Sequence, residues 1–140
     1  RDLCGAGLDS VRVSLNSTRK EFYHRYYLPR GYAFEDVCNS ISVAKRNKKF
    51  VFLNYLTMPG FTDREDEFDA LLRFVGKTGI DMIQWRNLNY DPRRYFKKLK
   101  IFPDSRLLGV RTVMRRLQER FPKLRYGYFN MPKEMFSSPQ

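Results

Sequence analysis

The sequence predicts an α/β protein, a portion of a parallel (βα) barrel of the partial TIM type, on three observations. Strand-like and helix-like stretches alternate along the chain, no hairpin signal joins two strands, and each strand-like run ends in polar residues. Alternation without hairpins requires crossover connections, and therefore a parallel sheet. In such sheets the loops that vary freely gather at the carboxyl ends of the strands, where ligands bind.

Val11, Val13 and Leu15 alternate with Arg12 and Ser14 after the Gly5 and Gly7 turn region, which predicts a strand ending in Ser14, Asn16 and Ser17. Ser17 or Thr18 is placed to cap a helix towards Tyr27, which Leu28-Pro29-Arg30-Gly31 breaks. Phe34, Val37, Cys38 and Ile41 recur at helical spacing and predict a helix with one buried face. Phe50 to Leu53 form a continuous apolar run, the pattern of a strand covered on both sides, which ends through Asn54 and Thr57 in the Met58-Pro59-Gly60 turn. Thr62 and Glu65 have capping-box spacing ahead of a helix marked by Phe68, Leu71, Leu72 and Val75 and closed by Gly76 and Gly79. Ile80, Met82 and Ile83 open a third strand that runs into Gln84, Trp85, Arg86, Asn87, Leu88 and Asn89 and is stopped by Asp91-Pro92. A basic, aromatic segment follows. Val110, Val113, Met114, Leu117 and Phe121 then mark a helix ended by Pro122, and Leu124 to Phe129 a last strand reaching Tyr128 and Asn130. Residues 1–130 read as one barrel portion, and 131–140 as a loose tail.

The chain carries 27 Lys and Arg against 15 Asp and Glu, a net charge of +12 that favours anionic partners, RNA among them. The charge is distributed among Lys45-Arg46 with Lys48-Lys49, Arg93-Arg94 with Lys97, Lys98 and Lys100, and Arg115-Arg116 with Arg120. Two cysteines, Cys4 and Cys38, make neither a disulfide framework nor a zinc spacing, which fits a reducing cytoplasm. No apolar run approaches the length of a membrane span and no signal peptide is visible, so no membrane partner is expected. Arg1 in place of a Met, with a strand starting soon after, suggests a piece of something longer.

The strand ends gather hydroxyls, amides and one guanidinium: Ser14, Asn16, Asn54, Gln84, Arg86, Asn87 and Asn89. Such groups suit hydrogen bonding to a nucleoside, an amino-acid moiety or a phosphate, while any one of them taken singly also serves as a helix cap or turn residue. His24, the only histidine, lies among Phe22, Tyr23, Tyr26 and Tyr27 without an acid to orient it, and reads as structural. There is no nucleophile elbow, phosphate-binding glycine loop or paired-histidine metal site, and no catalytic residue is assigned.

Gly7-Leu-Asp-Ser-Val-Arg-Val-Ser-Leu-Asn-Ser17, Asn54-Tyr-Leu-Thr-Met-Pro-Gly-Phe-Thr-Asp63 and Ile80-Asp-Met-Ile-Gln-Trp-Arg-Asn-Leu-Asn89, in this order, resemble strands four to six of radical S-adenosylmethionine enzymes over about two thirds of the chain. The resemblance implies S-adenosylmethionine and a [4Fe-4S] cluster as cofactors, the cluster held by a CxxxCxxC loop. This sequence has no such loop, so the resemblance places it, and the N-terminal remainder of the barrel, upstream of Arg1. It implies that Ser14 and Asn16 face the ribose or methionyl part, that Asn54 with Pro59 and Gly60 borders the adenosine, and that main-chain groups near Gln84 meet adenine. Arg86, Asn87 and Asn89 become candidates for the carboxylate or for a substrate of unknown identity, small or macromolecular. Two other expectations stand beside this one: a basic RNA-binding module, its aromatics stacking on bases, and another parallel-barrel enzyme such as a lyase or aldolase, for which few strand-end carboxylates are at hand to hold a metal.

Overall fold

A computed structural model describes residues 2–103 and 106–127. The elements run α1 (Asp2–Gly5), β1 (Ser10–Leu15), α2 (Lys20–Tyr27), α3 (Phe34–Arg46), β2 (Phe50–Thr57), α4 (Glu65–Thr78), β3 (Met82–Asn87), α5 (Pro92–Leu99), α6 (Val110–Arg120) and β4 (Arg125–Tyr126). The four strands form one parallel sheet in the order β1-β2-β3-β4, so every strand lies beside its predecessor in sequence. The expected α/β class and parallel sheet are present. Tyr128, Asn130 and the tail lie outside the described residues.

Alternation along the strands sorts side chains onto two faces. Val11, Val13, Leu15, Val51, Leu53, Tyr55, Ile83, Trp85 and Tyr126 point one way, and against them pack Phe34, Ile41 and Ala44 of α3, Phe68, Leu71, Phe74 and Val75 of α4, and Val113 and Leu117 of α6. The crossover helices therefore share one face of the sheet. Burial of each large side chain there contributes about 1.5–3 kcal/mol. On the other face Phe50, Phe52 and Met82 form a cluster made of strand residues alone among the described residues. The guanidinium groups of Arg12 and Arg125 lie over Phe52 and Phe50, 5.6 and 5.8 Å from the ring centres. This explains the continuous apolar run of β2: one half of it meets helices, the other half meets neighbouring rings and cations.

A second core sits beyond the strand ends. Phe22 of α2, Met58 and Phe61 of the turn after β2, Tyr95 and Leu99 of α5, and Ile101 pack together, with Tyr26, Leu88 and Phe96 at the margin. Asp91-Pro92 does not merely end β3: the Asp91 carboxylate accepts the Arg94 N–H at 2.8 Å and caps α5, with Pro92 in the first turn, where a missing N–H costs nothing. Thr62 makes no capping box; its hydroxyl accepts the Met58 N–H at 2.9 Å, and Arg64 precedes α4. Gly76 lies within α4, which Gly79 closes at φ 61°, donating its N–H to the Val75 carbonyl. Neither Ser17 nor Thr18 is the residue next to α2, which is Arg19, although Ser17 Oγ does accept the Arg19 N–H.

Candidate functional site

In a parallel pair, residues in register share a face, so the pairings Ser14↔Asn54 and Asn54↔Gln84 set three polar side chains in a row across β1, β2 and β3. The row lies on the face that the helices do not cover among the described residues. It sits one step beyond the Phe52 and Met82 floor and one step before the pair Leu56↔Arg86. Asn54 Nδ2 donates to Ser14 Oγ at 3.0 Å. The same amide leaves Oδ1 buried without a hydrogen-bond partner, an arrangement that costs about 1–3 kcal/mol unless a donor meets it. Ser14 is exposed, Asn54 half-buried and Gln84 buried at 2% exposure.

The remaining predicted residues separate into two groups. Arg86, Asn87 and Asn89 are exposed where β3 ends, as is Pro59 in the turn after β2. Gly60 has φ 88°, and a Cβ there would come within 3.2 Å of the Phe96 ring, so the turn needs glycine both for its backbone and for its packing. Its N–H donates to Asp63 Oδ1 at 2.7 Å. Asn16 is fully enclosed: its Nδ2 donates to the Phe22 carbonyl at 3.3 Å and to Tyr95 Oη at 3.2 Å. It joins β1 to the second core rather than to the Ser14 row. His24 accepts the Phe34 N–H through Nε2 at 3.3 Å, holding the start of α3, in line with a structural role.

Next to Asn16 lies a buried polar cluster that the reading of strand ends passes over. The Ser17 hydroxyl donates to Glu67 Oε2 at 2.7 Å, and Arg19 reaches Glu67 Oε1 at 3.3 Å while also pairing with Glu21 and Asp66. Burial pushes the Glu67 carboxyl up to about 7, against the opposing pull of Ser17 and Arg19. Burial works against the Arg19 charge, but Glu67, Glu21 and Asp66 outweigh it and hold the guanidinium above its ordinary value. The Tyr55 hydroxyl is wholly buried without a hydrogen-bond partner, and burial followed by Glu67 and Tyr95 raises it well above the usual phenol range. Glu67 reads in sequence as one of three first-turn acids, Glu65-Asp66-Glu67; the signal that separates it is its place on the stripe continued by Leu71 and Phe74.

Among the described residues no three His, Cys, Asp or Glu side chains are grouped to hold a metal, and no helix is long and apolar enough to cross a membrane. No protein-family model and no curated protein matches this chain.

Proposed function

We propose that the face carrying Ser14, Asn54 and Gln84 receives the nucleoside of S-adenosylmethionine, and that the chain serves as the positioning part of a radical S-adenosylmethionine enzyme. The observation that carries this reading is the in-register polar row with the buried, unpartnered Asn54 Oδ1 at its centre. Because Asn54 Nδ2 is engaged by Ser14 Oγ, the Ser14 O–H is left to donate outward while Asn54 Oδ1 accepts. A ribose diol or the amino edge of adenine offers the complementary groups. The sequence resemblance points to the same three strands in the same order.

The residues present fit this nucleoside but not the iron–sulfur cluster. Cys4 and Cys38 are the chain's two cysteines, and neither belongs to a three-cysteine loop. S-adenosylmethionine would become a source of the 5′-deoxyadenosyl radical only on one-electron reduction, with methionine as the leaving group, by a cluster that these residues do not hold. The chain's own contribution is orientation: Ser14 and Asn54 fix the sugar or base, the Phe50, Phe52 and Met82 floor excludes water, and Arg86, Asn87 and Asn89 border the open end.

Titration calorimetry of S-adenosylmethionine with the protein tests this. Asn54→Ala and Ser14→Ala are expected to weaken binding about tenfold each, equivalent to one hydrogen bond to a buried amide, and Asn39→Ala on α3 to leave it unchanged. Equal affinities for all three variants would refute the assignment.

A further inference from the structure

Within its eight residues α5 carries four exposed cations, Arg93, Arg94, Lys97 and Lys98. Some cations elsewhere have carboxylate partners: Arg19 with Glu21, Asp66 and Glu67, Lys20 with Glu35, Lys45 with Asp81, Arg64 with Asp66, Arg115 with Glu119. Others, such as Arg46, Lys48, Arg116 and Arg120, are exposed and form no ion pair among the described residues. On α5, Arg93, Arg94, Lys97 and Lys98 are all exposed, Lys100 follows at the C-cap, and none of them forms an ion pair among the described residues. The neighbouring acid, Asp91, is committed to the Arg94 backbone N–H.

Part of this arrangement works against the helix, although Lys97 and Lys98 in its last turn suit the dipole. Arg93 with Lys97 and Arg94 with Lys98 are like charges four residues apart, and Arg93 and Arg94 place positive charge at the positive end of the helix dipole. The opposite side of α5 is fixed in the second core by Tyr95 and Leu99, so the cations present one fixed outward face. Two exposed aromatic residues stand at the ends of the helix: Tyr90 before it is 43% exposed, its ring edge-on to Tyr95 at 6.3 Å, and Phe102 after it is 78% exposed. Lys98 also lies over the Tyr26 ring, 5.9 Å from its centre. Cations without carboxylate partners on a helix with exposed aromatics at its ends form a combination that single strands use, phosphates on the charges and unstacked bases on the rings.

We propose that the outer face of α5, with Tyr90 and Phe102, is a binding surface for single-stranded RNA. It begins where β3 ends, beside Arg86, Asn87 and Asn89. The inference stands independently of the nucleoside reading.

Fluorescence anisotropy of a short labelled polyuridine tests it. Binding is expected to fall steeply with added salt, because neutralised phosphates release counterions. Replacing the four cations together (Arg93→Gln, Arg94→Gln, Lys97→Gln, Lys98→Gln) is expected to weaken binding at least about tenfold and to flatten the salt slope. Tyr90→Ala with Phe102→Ala is expected to weaken binding and leave the slope unchanged. A charge-matched control, Arg46→Gln, Lys48→Gln, Arg116→Gln and Arg120→Gln, is expected to lose little. Circular dichroism melts verify folding, and if the quadruple variant melts early the milder Lys97→Gln, Lys98→Gln pair carries the comparison. The proposal is overturned if the control loses as much as the α5 variant, or if polyuridine fails to bind at low salt. It is equally overturned if a glutamate-rich peptide, anionic vesicles or single-stranded DNA of the same length bind as tightly.

Discussion

Glu67 holds a carboxyl where only 1% of the residue is exposed, with Ser17, Arg19, Asp66, Tyr55 and Tyr95 as its polar surroundings. Burial raises its folded-state value to about 7 from an ordinary value of 4.5. A group raised in this way contributes stability that is full below the unfolded value and is lost as pH rises through the folded one. Thermal melts are therefore expected to show the wild-type chain losing stability between about pH 4.5 and about pH 7, and Glu67→Gln to flatten that slope. A slope of the same size in the variant would show that another group is responsible. Asn16 makes a second case: truncation to Ala removes the donor to Phe22 and Tyr95 and is expected to cost about 1–3 kcal/mol in chemical denaturation. Both residues show where sequence reading stops. Asn16 reads as a strand-end ligand because its neighbours Ser14 and Ser17 are polar too, and only the packing of α2 and α5 over the strand end encloses it. Ser14 and Asn54 were legible each as a polar strand-end residue, and the register of β1 against β2 pairs them.

At the scale of elements, β1, β2, β3, α3, α4 and α6 follow from hydrophobic period alone, since each buries a single face or both. α5 does not. Its eight residues hold four cations and few apolar positions, and Asp-Pro is read as a stop although the same pair starts a helix. The Asp91 carboxylate is the residue that makes the difference. Asp91→Ala is expected to destabilise the protein by about 1 kcal/mol in urea denaturation, and Asp91→Asn by much less, because the amide oxygen still accepts the Arg94 N–H. A loss equally large for Asn would point to the Asp91 charge rather than its hydrogen bond. The turn from Met58 to Asp63 was legible as a turn but not in its wiring, which rests on Thr62 and Asp63 bonding backwards to Met58 and Gly60.

At the scale of the whole molecule, the sequential strand order and the shared position of α3, α4 and α6 leave one sheet face whose described cluster is built by strands alone. The order was legible because no hairpin signals interrupt the alternation. The chemistry of that face was legible only as a list of strand-end residues, since register decides which of them meet. Register joins Ser14, Asn54 and Gln84 and sets Asn16 apart from them. The most direct test is nuclear magnetic resonance of the side-chain amides during titration with S-adenosylhomocysteine, a stable analogue of the proposed ligand. The Asn54 and Gln84 signals are expected to shift together and saturably while those of Asn39 and Asn47 on the helix side stay still. Shifts confined to the helix side, or none at saturating ligand, would contradict the account.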